Sequence, residues 1–260
     1  MTEVIPIRAR SLVDRVVQII GREIVGGRFA PGDSLPNETE WCARLQVSRS
    51  VLREALRVLV SKNLIEIRTR AGGRVQDMSA WNLLDPDVLD WRSQGGDQRR
   101  FAAELFELRR VVEPAAAALA AARATPEQRR ELQQACEEMA AAGEDIEKFF
   151  APDVRFHRII ATAVGNSLFR SLSNMVTVVL DLTLRMALEA PDGQQQSLPL
   201  HRRVAEAIAR GDGPAAAAAM LHLVDSAERD VTEALAAGRG SLSPHTPPLR
   251  ATRKSTRSKT

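Results

Sequence analysis

Four side chains in the second half of the chain have the types and spacing that a divalent metal site requires. Asp153 and His157 are four residues apart, so on a helix they share one face. His201 and His222 follow on later segments, and the set offers three imidazoles and one carboxylate. Zinc, nickel and manganese all accept such ligands. The pattern predicts a divalent metal without choosing among these three.

Spacing alone does not establish this site, because a histidine is more often a surface residue or a hydrogen-bonded core residue than a ligand. The distribution favours a site, since three of the four histidines of the chain lie here, each on a different predicted helix. A metal held this way could activate water for hydrolysis. Catalysis needs a further acid or base, however, and Ser167 and Ser197 have no recognisable base partner in the sequence. We therefore predict that the chain is not an enzyme.

The region that carries these residues is predicted to be an all-α bundle. Alanine and leucine dominate from 97 to 237, and no hairpin signal appears. Thr125 and Gln128 form a capping box with proline in the first turn. The predicted helices are 98–122, 126–142, 145–163, 167–189, 198–210 and 214–236.

A second chemistry, DNA recognition, is indicated by residues 47–59. Ser48 is a good N-cap, and apolar residues at helical spacing form one buried stripe. Arg49, Ser50 and Arg53 fall on the opposite, basic face. A shorter helix capped by Asn37 precedes this one, and so tight a turn between two helices is typical of a helix-turn-helix, whose second helix enters the major groove.

The flanking segments complete a winged helix. Residues 12–24 have the pattern of a further amphipathic helix that stops at Gly26 and Gly27. Residues 64–68 and 74–76 are predicted to be two short strands around a glycine turn. The predicted fold is therefore mostly α, with an N-terminal winged helix-turn-helix and a C-terminal helical bundle.

These N-terminal motifs resemble the GntR family of bacterial transcription regulators. The resemblance rests on the runs 24–36, 47–56 and 72–75 and covers nearly all of residues 10–76. It implies that Arg49, Ser50, Arg53 and the wing glycines Gly72 and Gly73 contact double-stranded operator DNA. One departure is Gln46, at a turn position that is often glycine in this family, which predicts a strained backbone at this turn.

The second half resembles the FCD effector domain, the partner of this head in the FadR subgroup. The segments 153–157, 201–212 and 220–223 match its metal-site segments, and all four ligand positions are retained. A domain that only dimerised an architectural DNA-binding protein would not need them. The segment 105–114 resembles the first helix of the domain, which implies that Arg109 faces the effector cavity. The segment 105–114 and the linker 81–91 are most similar to those of galactonate-type regulators. This resemblance implies a small carboxylate effector, a sugar acid.

Charge and composition divide the chain into a head at 1–76, a linker at 77–96, an effector-binding and dimerisation domain at 97–237, and a basic tail at 238–260 that is expected to be disordered. Residues 1–77 carry 13 Lys/Arg against 9 Asp/Glu, whereas residues 78–238 carry a net charge of −7. A basic head and an acidic second domain suit a DNA-binding protein. Two distant cysteines, no membrane-spanning run and no signal peptide predict a cytoplasmic protein. Two-fold symmetry of an inverted-repeat operator predicts a homodimer.

Overall fold

The computed structural model describes residues 11–239 and Leu242, apart from short gaps at 69–71, 168, 170–177, 179, 181, 185, 189 and 191–192. Three helices open the described chain: α1 (Leu12–Val25), α2 (Glu38–Leu45) and α3 (Arg49–Ser61). Ser11 and Asn37 form complete capping boxes, and the Ser48 hydroxyl accepts from the Val51 N–H, as expected of that N-cap.

The turn between α2 and α3 confirms the helix-turn-helix prediction. Gln46 ends α2 in the left-handed region, with φ 53° and ψ 46°, a conformation that glycine adopts at less cost. Apolar side chains of α1, α2 and α3 meet in one core, to which Ile20, Trp41 and Leu52 contribute fully buried side chains. This core fixes α3 so that its basic face stays outside.

The wing is an antiparallel pair, β1 (Ile65–Arg68) and β2 (Gly72–Val75), in which Ile65 pairs with Val75 and Ile67 with Gly73. Residues 69–71, between the strands, lie outside the described residues, and Gly72 and Gly73, which were predicted in the turn, belong to β2 instead. A single bridge between Ser34 and Arg74 attaches the segment before α2 to the outer edge of β2. The winged helix-turn-helix prediction is therefore confirmed in its strands as well as its helices.

The linker forms a 3₁₀ turn (Met78–Ala80) and a helix, α4 (Pro86–Ser93), that Asp85 caps as predicted. Val88 and Trp91 of α4 join the core of the head, whereas Leu89 joins the core of the second domain. The Trp91 ring packs so closely on Gly21 of α1 that a Cβ there would lie 2.3 Å from it. The short helix α4 thus contacts both halves of the chain.

The second domain is helical, as predicted, in the part of the chain that the structure describes. Its helices are α5 (Gln98–Arg123), α6 (Pro126–Ala142), α7 (Ile146–Ala163), α8 (Gly193–Arg210) and α9 (Gly213–Ala236). The predicted helix 167–189 falls largely outside the described residues, although those that are described between Val178 and Leu188 are helical. Helix α8 begins five residues before the predicted position 198, and Pro199 lies inside it.

Few residues at the two ends of the chain are described, and one of them, Leu242, differs from the prediction. Residues 1–10 and most of the predicted disordered tail, 240–241 and 243–260, lie outside the described residues. Leu242 departs from the prediction, because its side chain is fully buried in the core of the second domain. Its N–H lies 3.4 Å from the Gln98 side-chain oxygen. The described residues of the tail therefore include one packed position, Leu242, after the exposed residues 237–239. No described helix has the length and apolar character needed to cross a membrane.

Candidate functional site

The exposed face of α3 carries the residues predicted to contact DNA. Arg49, Ser50 and Arg53 are all exposed, as a groove-reading face requires. Arg53 already has a partner, because its Nε and Nη2 donate to the two carboxylate oxygens of Glu38 at 2.8 and 2.9 Å. Arg49 has no ion-pair partner in the described part of the chain. Arg49 can therefore reach a base edge without first giving up a contact.

The two wing glycines differ in what the structure requires of them. A Cβ on Gly73 would lie 3.3 Å from Leu35 Cδ1, and the Gly73 carbonyl accepts from the Leu35 N–H at 2.8 Å. Close packing of the wing against the segment before α2 is thus sufficient to explain glycine at 73. Gly72 pairs with Arg68 at the turn end of the hairpin, next to the undescribed residues 69–71.

Three of the four predicted metal ligands come together inside the second domain. Asp153 and His157 lie one turn apart on α7, and His201 of α8 faces them. One potential ligand atom of each residue lies within 4.8 Å of those of the other two. Asp153 Oδ1 is 3.5 Å from His157 Nε2, and Oδ2 is 3.5 Å from His201 Nε2. All three side chains are buried, His157 being the most exposed at 6%.

Polar contacts behind the two imidazoles decide which nitrogen of each ring carries the proton. His201 Nδ1 lies 2.9 Å from the Ser197 carbonyl oxygen, which can only accept, so Nδ1 carries the proton. His157 Nδ1 lies 2.9 Å from Glu113 Oε2, although the alignment is poor for a hydrogen bond. In both neutral rings the Nε2 lone pair is then directed towards Asp153, which is the arrangement a metal needs.

The polar atoms of this cluster are not satisfied by the described residues. Both Asp153 oxygens and His201 Nε2 are buried without a hydrogen-bond partner there. Burial by itself raises the pKa of Asp153, but the positive charge of His201 and His157 in their protonated form outweighs it and lowers this pKa below its ordinary value. A buried ionised carboxylate facing two lone pairs is costly unless a cation accepts all three. The residues present therefore fit a divalent metal.

A buried ion pair lies directly behind His157. Arg109 of α5 donates through Nε to Glu113 Oε1 at 2.6 Å, and both side chains are almost fully buried. Arg109 Nη1 also lies 3.3 Å from Thr183 Oγ1. Burial alone raises the pKa of Glu113, but the guanidinium of Arg109 and the ring of His157 lower it to about 2. Glu113 is thus ionised at neutral pH and links Arg109 to His157.

Arg109 and the three clustered residues line one cavity. Ser197, Ser226 and Asp230 add polar groups to its wall, and the rest of the lining is apolar. Its volume is about 30 Å³, which is room for roughly two water molecules. The site therefore combines a buried cation-binding cluster with a buried guanidinium, an arrangement that suits a small anionic ligand.

Comparison with known proteins identifies the family. The sequence profile of "Bacterial regulatory proteins, gntR family" matches residues 12–75, and that of the FCD domain matches residues 104–226. Over 221 residues the chain is 34% identical to the galactonate operon transcriptional repressor of Escherichia coli (strain K12), which spans 85% of this chain and 96% of that protein. The chain belongs to the GntR family.

Further relatives agree with this assignment. The chain is 30% identical to the HTH-type transcriptional regulator LutR of Bacillus subtilis (strain 168), over 78% of this chain and 93% of that protein. The solved structure of Lar, which controls expression of the Listeria monocytogenes agr system, aligns with a TM-score of 0.59 at 17% identity, over 87% of this chain and 99% of that one. The second likeness concerns the fold alone. This GntR-family chain is a transcription regulator with an FCD domain, not an enzyme.

His222 is the one predicted ligand of this GntR-family regulator that the structure does not bring to the cluster. Its side chain is exposed and lines a surface pocket with Arg110 and Asp225. The reason is the rotation of α9, which turns Leu223, Ser226 and Asp230 towards the cavity. At 100° per residue, His222 lies roughly 90° away from the centre of that face.

Two residues near the site have roles that the sequence interpretation missed. Glu113 and Ser197 lie behind the two imidazoles, although no base partner for Ser197 was recognisable in the sequence. Ser197 Oγ does lie 3.2 Å from His201 Nδ1. That nitrogen holds its proton for the Ser197 carbonyl, however, so it cannot accept the hydroxyl proton as a catalytic base would. The four-residue spacings Arg109–Glu113 and Ser197–His201 were the available signals.

Proposed function

We propose that this regulator is a homodimeric repressor that binds an inverted-repeat operator and is released by a sugar acid bound at a divalent metal. The observation that carries the proposal is that Arg109 lines the same buried cavity as Asp153, His157 and His201. A metal and a guanidinium facing one small cavity select a ligand that is anionic and rich in oxygen.

Asp153, His157 and His201 are the residues that would hold the metal, and zinc, nickel or manganese suits them. When bound, the metal supplies a Lewis-acidic position for an anionic oxygen. Three protein ligands leave at least one coordination position for that oxygen. His222 stays a predicted ligand, which would reach the metal only if α9 turned.

The effector is proposed to be a sugar acid because of the cavity and because of the relative. The 34% identical protein is named for the galactonate operon, and galactonate carries one carboxylate and several hydroxyls. The carboxylate suits Arg109, and the hydroxyls suit Ser226 and Asp230 in the cavity wall.

Release from DNA requires a change of shape, and the size of the cavity supplies a reason for one. A space of about 30 Å³ accepts roughly two waters and no sugar acid, so the effector has to enlarge the cavity. A ligand that binds one arrangement of the two heads more tightly than the other shifts the population towards it. Because α4 packs on both halves, it is the proposed route from the cavity to the heads.

DNA recognition is proposed to rest mainly on Arg49. An arginine that reads a guanine edge should cost about 1–3 kcal/mol when it is lost. Arg49→Ala is expected to weaken specific operator binding by that amount in a mobility-shift titration. Arg53→Ala should cost less, since Arg53 has to leave Glu38 before it can bind DNA.

Arg203→Ala is the matched control, because Arg203 is an equally exposed arginine outside the head. It removes the same charge and should leave operator binding unchanged. Equal losses for Arg49→Ala and Arg203→Ala would contradict the assignment of α3 as the recognition helix.

The proposed function is tested on DNA fragments that are first selected by binding to the full-length protein. The measurement is whether a ligand then releases the protein from this DNA. Galactonate and gluconate are expected to release the DNA in the presence of metal, and galactose is not. Treatment with a chelator should remove the response while DNA binding persists. If galactose released the DNA equally well, the sugar-acid proposal would be wrong. If no acid acted with or without metal, an architectural role would be favoured instead.

A further inference from the structure

One buried carboxylate stands between the candidate metal site and the candidate effector clamp. Glu113 is 4% exposed, and it contacts Arg109 through Oε1 at 2.6 Å and His157 through Oε2 at 2.9 Å. It is not one of the three clustered residues and does not line the cavity. Its negative charge is therefore placed behind the site, where it acts through its neighbours.

We propose that Glu113 is a positioning residue, held by Arg109, that keeps the proton of His157 on Nδ1 and so presents the Nε2 lone pair to the metal. The inference rests on the proposed function in that it assigns the ligand atom of His157. It goes further because it makes the tautomer of His157 depend on a residue of another helix.

The chemistry of Arg109, Glu113 and His157 determines which of their atoms donate and which accept. A guanidinium can only donate, so the carboxylate oxygen facing Arg109 has to accept. The other carboxylate oxygen also only accepts, so the His157 nitrogen that lies 2.9 Å from it carries a proton, although the alignment is poor for a hydrogen bond. A neutral imidazole that donates from Nδ1 has its lone pair on Nε2, which lies 3.5 Å from Asp153 Oδ1. The tautomer thus follows from the two contacts of the Glu113 carboxylate, 2.6 Å to Arg109 and 2.9 Å to His157.

The substitution Glu113→Gln tests this role, because one amide group cannot replace both acceptor oxygens of the carboxylate. Arg109 still demands an acceptor, so the amide oxygen has to face Arg109 and the amide NH₂ has to face His157. Nδ1 of His157 must then accept, and its proton moves to Nε2, where it blocks coordination. We therefore expect Glu113→Gln to switch the tautomer of His157 while it changes the volume of the side chain at 113 very little.

The experiment compares the metal-free full-length wild type with Glu113→Gln at a pH where imidazoles are neutral. Long-range nitrogen–proton correlation spectra of ¹⁵N-histidine protein report the tautomer of each ring. We expect His157 to be protonated on Nδ1 in the wild type and on Nε2 in the variant. Zinc affinity, measured by chelator competition, should fall by about 10–100-fold, as for other residues that orient metal ligands.

Glu138→Gln is the matched control. Glu138 forms a 2.7 Å ion pair with Arg155 on α7, the helix that carries Asp153 and His157, but on its outer side. It should alter neither the tautomer of His157 nor the zinc affinity. If Glu113→Gln does not fold, Glu113→Asp keeps a carboxylate there and should retain the Nδ1 proton.

The outcomes separate the two proposals. An unchanged tautomer and an unchanged zinc affinity in Glu113→Gln would overturn the role of Glu113. An equal loss of zinc affinity in Glu138→Gln would overturn it as well, because the loss of any carboxylate that contacts α7 would then suffice. A wild type that binds no metal would instead refute the metal site, and the tautomers of metal-free protein would still decide the role of Glu113.

Discussion

Replacing His201 by alanine is expected to abolish divalent metal binding, because it removes one of only three clustered ligands. His201 is fully buried, and its Nε2 has no hydrogen-bond partner among the described residues. A bound metal would coordinate this nitrogen. Elemental analysis of wild-type protein purified without chelator should find about one equivalent of metal per chain. His201→Ala and His157→Ala should each contain almost none.

The loss should also appear as a loss of stability. A metal that binds only the folded chain stabilises it by about 2.7 kcal/mol at a hundred times its Kd. Chelation should therefore lower the Tm of the wild type and leave that of His201→Ala unchanged. Because the imidazoles must be neutral to coordinate, metal binding should weaken when the solution is acidified.

His222→Ala is the informative companion variant, because His222 is a histidine outside the cluster. Its exposed position predicts a smaller loss of metal than that caused by His201→Ala. An equal loss would show that α9 turns by roughly a quarter of a turn when the metal binds. Metal content unchanged in both His157→Ala and His201→Ala would refute the cluster as the site.

Local patterns account for the parts of the fold that the sequence predicted well. The caps at Ser48, Asp85 and Thr125 are set by contacts within three residues, so they can be read from a short window. The pair Asp153–His157 is similarly local, since a helix fixes side chains four residues apart on one face. The predicted start of α8 at 198 was five residues too late, and Pro199 lies inside the helix rather than in its first turn.

The rest of the site depends on how helices rotate and pack, which no local pattern fixes. Glu113 reaches His157 because α5 packs beside α7, and the two residues are far apart in sequence. His222 has the right residue type, but the packing of α9 turns another of its faces inward. Leu242 is buried because it follows a helix end that packs near Gln98, although composition alone favours a disordered tail there.

Replacing Arg109 by lysine is expected to leave operator binding intact and to remove most of the response to a sugar acid. A lysine keeps the charge but cannot offer two parallel N–H donors to one carboxylate. A charge-assisted hydrogen bond contributes about 1.5–3 kcal/mol, so effector affinity should fall by roughly 10–100-fold. The head that binds DNA is built on α3, which does not contact Arg109 in the described residues.

Arg110→Lys supplies the control one residue along the same helix. Arg110 lies on the outer side of α5, where it pairs with Asp225 and Glu228 on α9 and does not line the cavity. The same chemical change there should leave the effector response unaltered, which separates the clamp from a general effect of lysine on α5.

Calorimetry with galactonate, gluconate and galactose, on the wild type and both lysine variants, tests the clamp directly. Wild type should bind both acids and not the neutral sugar, because galactose has no carboxylate for Arg109 to bind through two parallel hydrogen bonds. Metal content should be measured on each sample, since Arg109 also holds Glu113 behind His157. If Arg109→Lys lost its metal as well, the loss of response would arise at the metal site. If it kept the metal and responded normally, Arg109 would not be the carboxylate clamp.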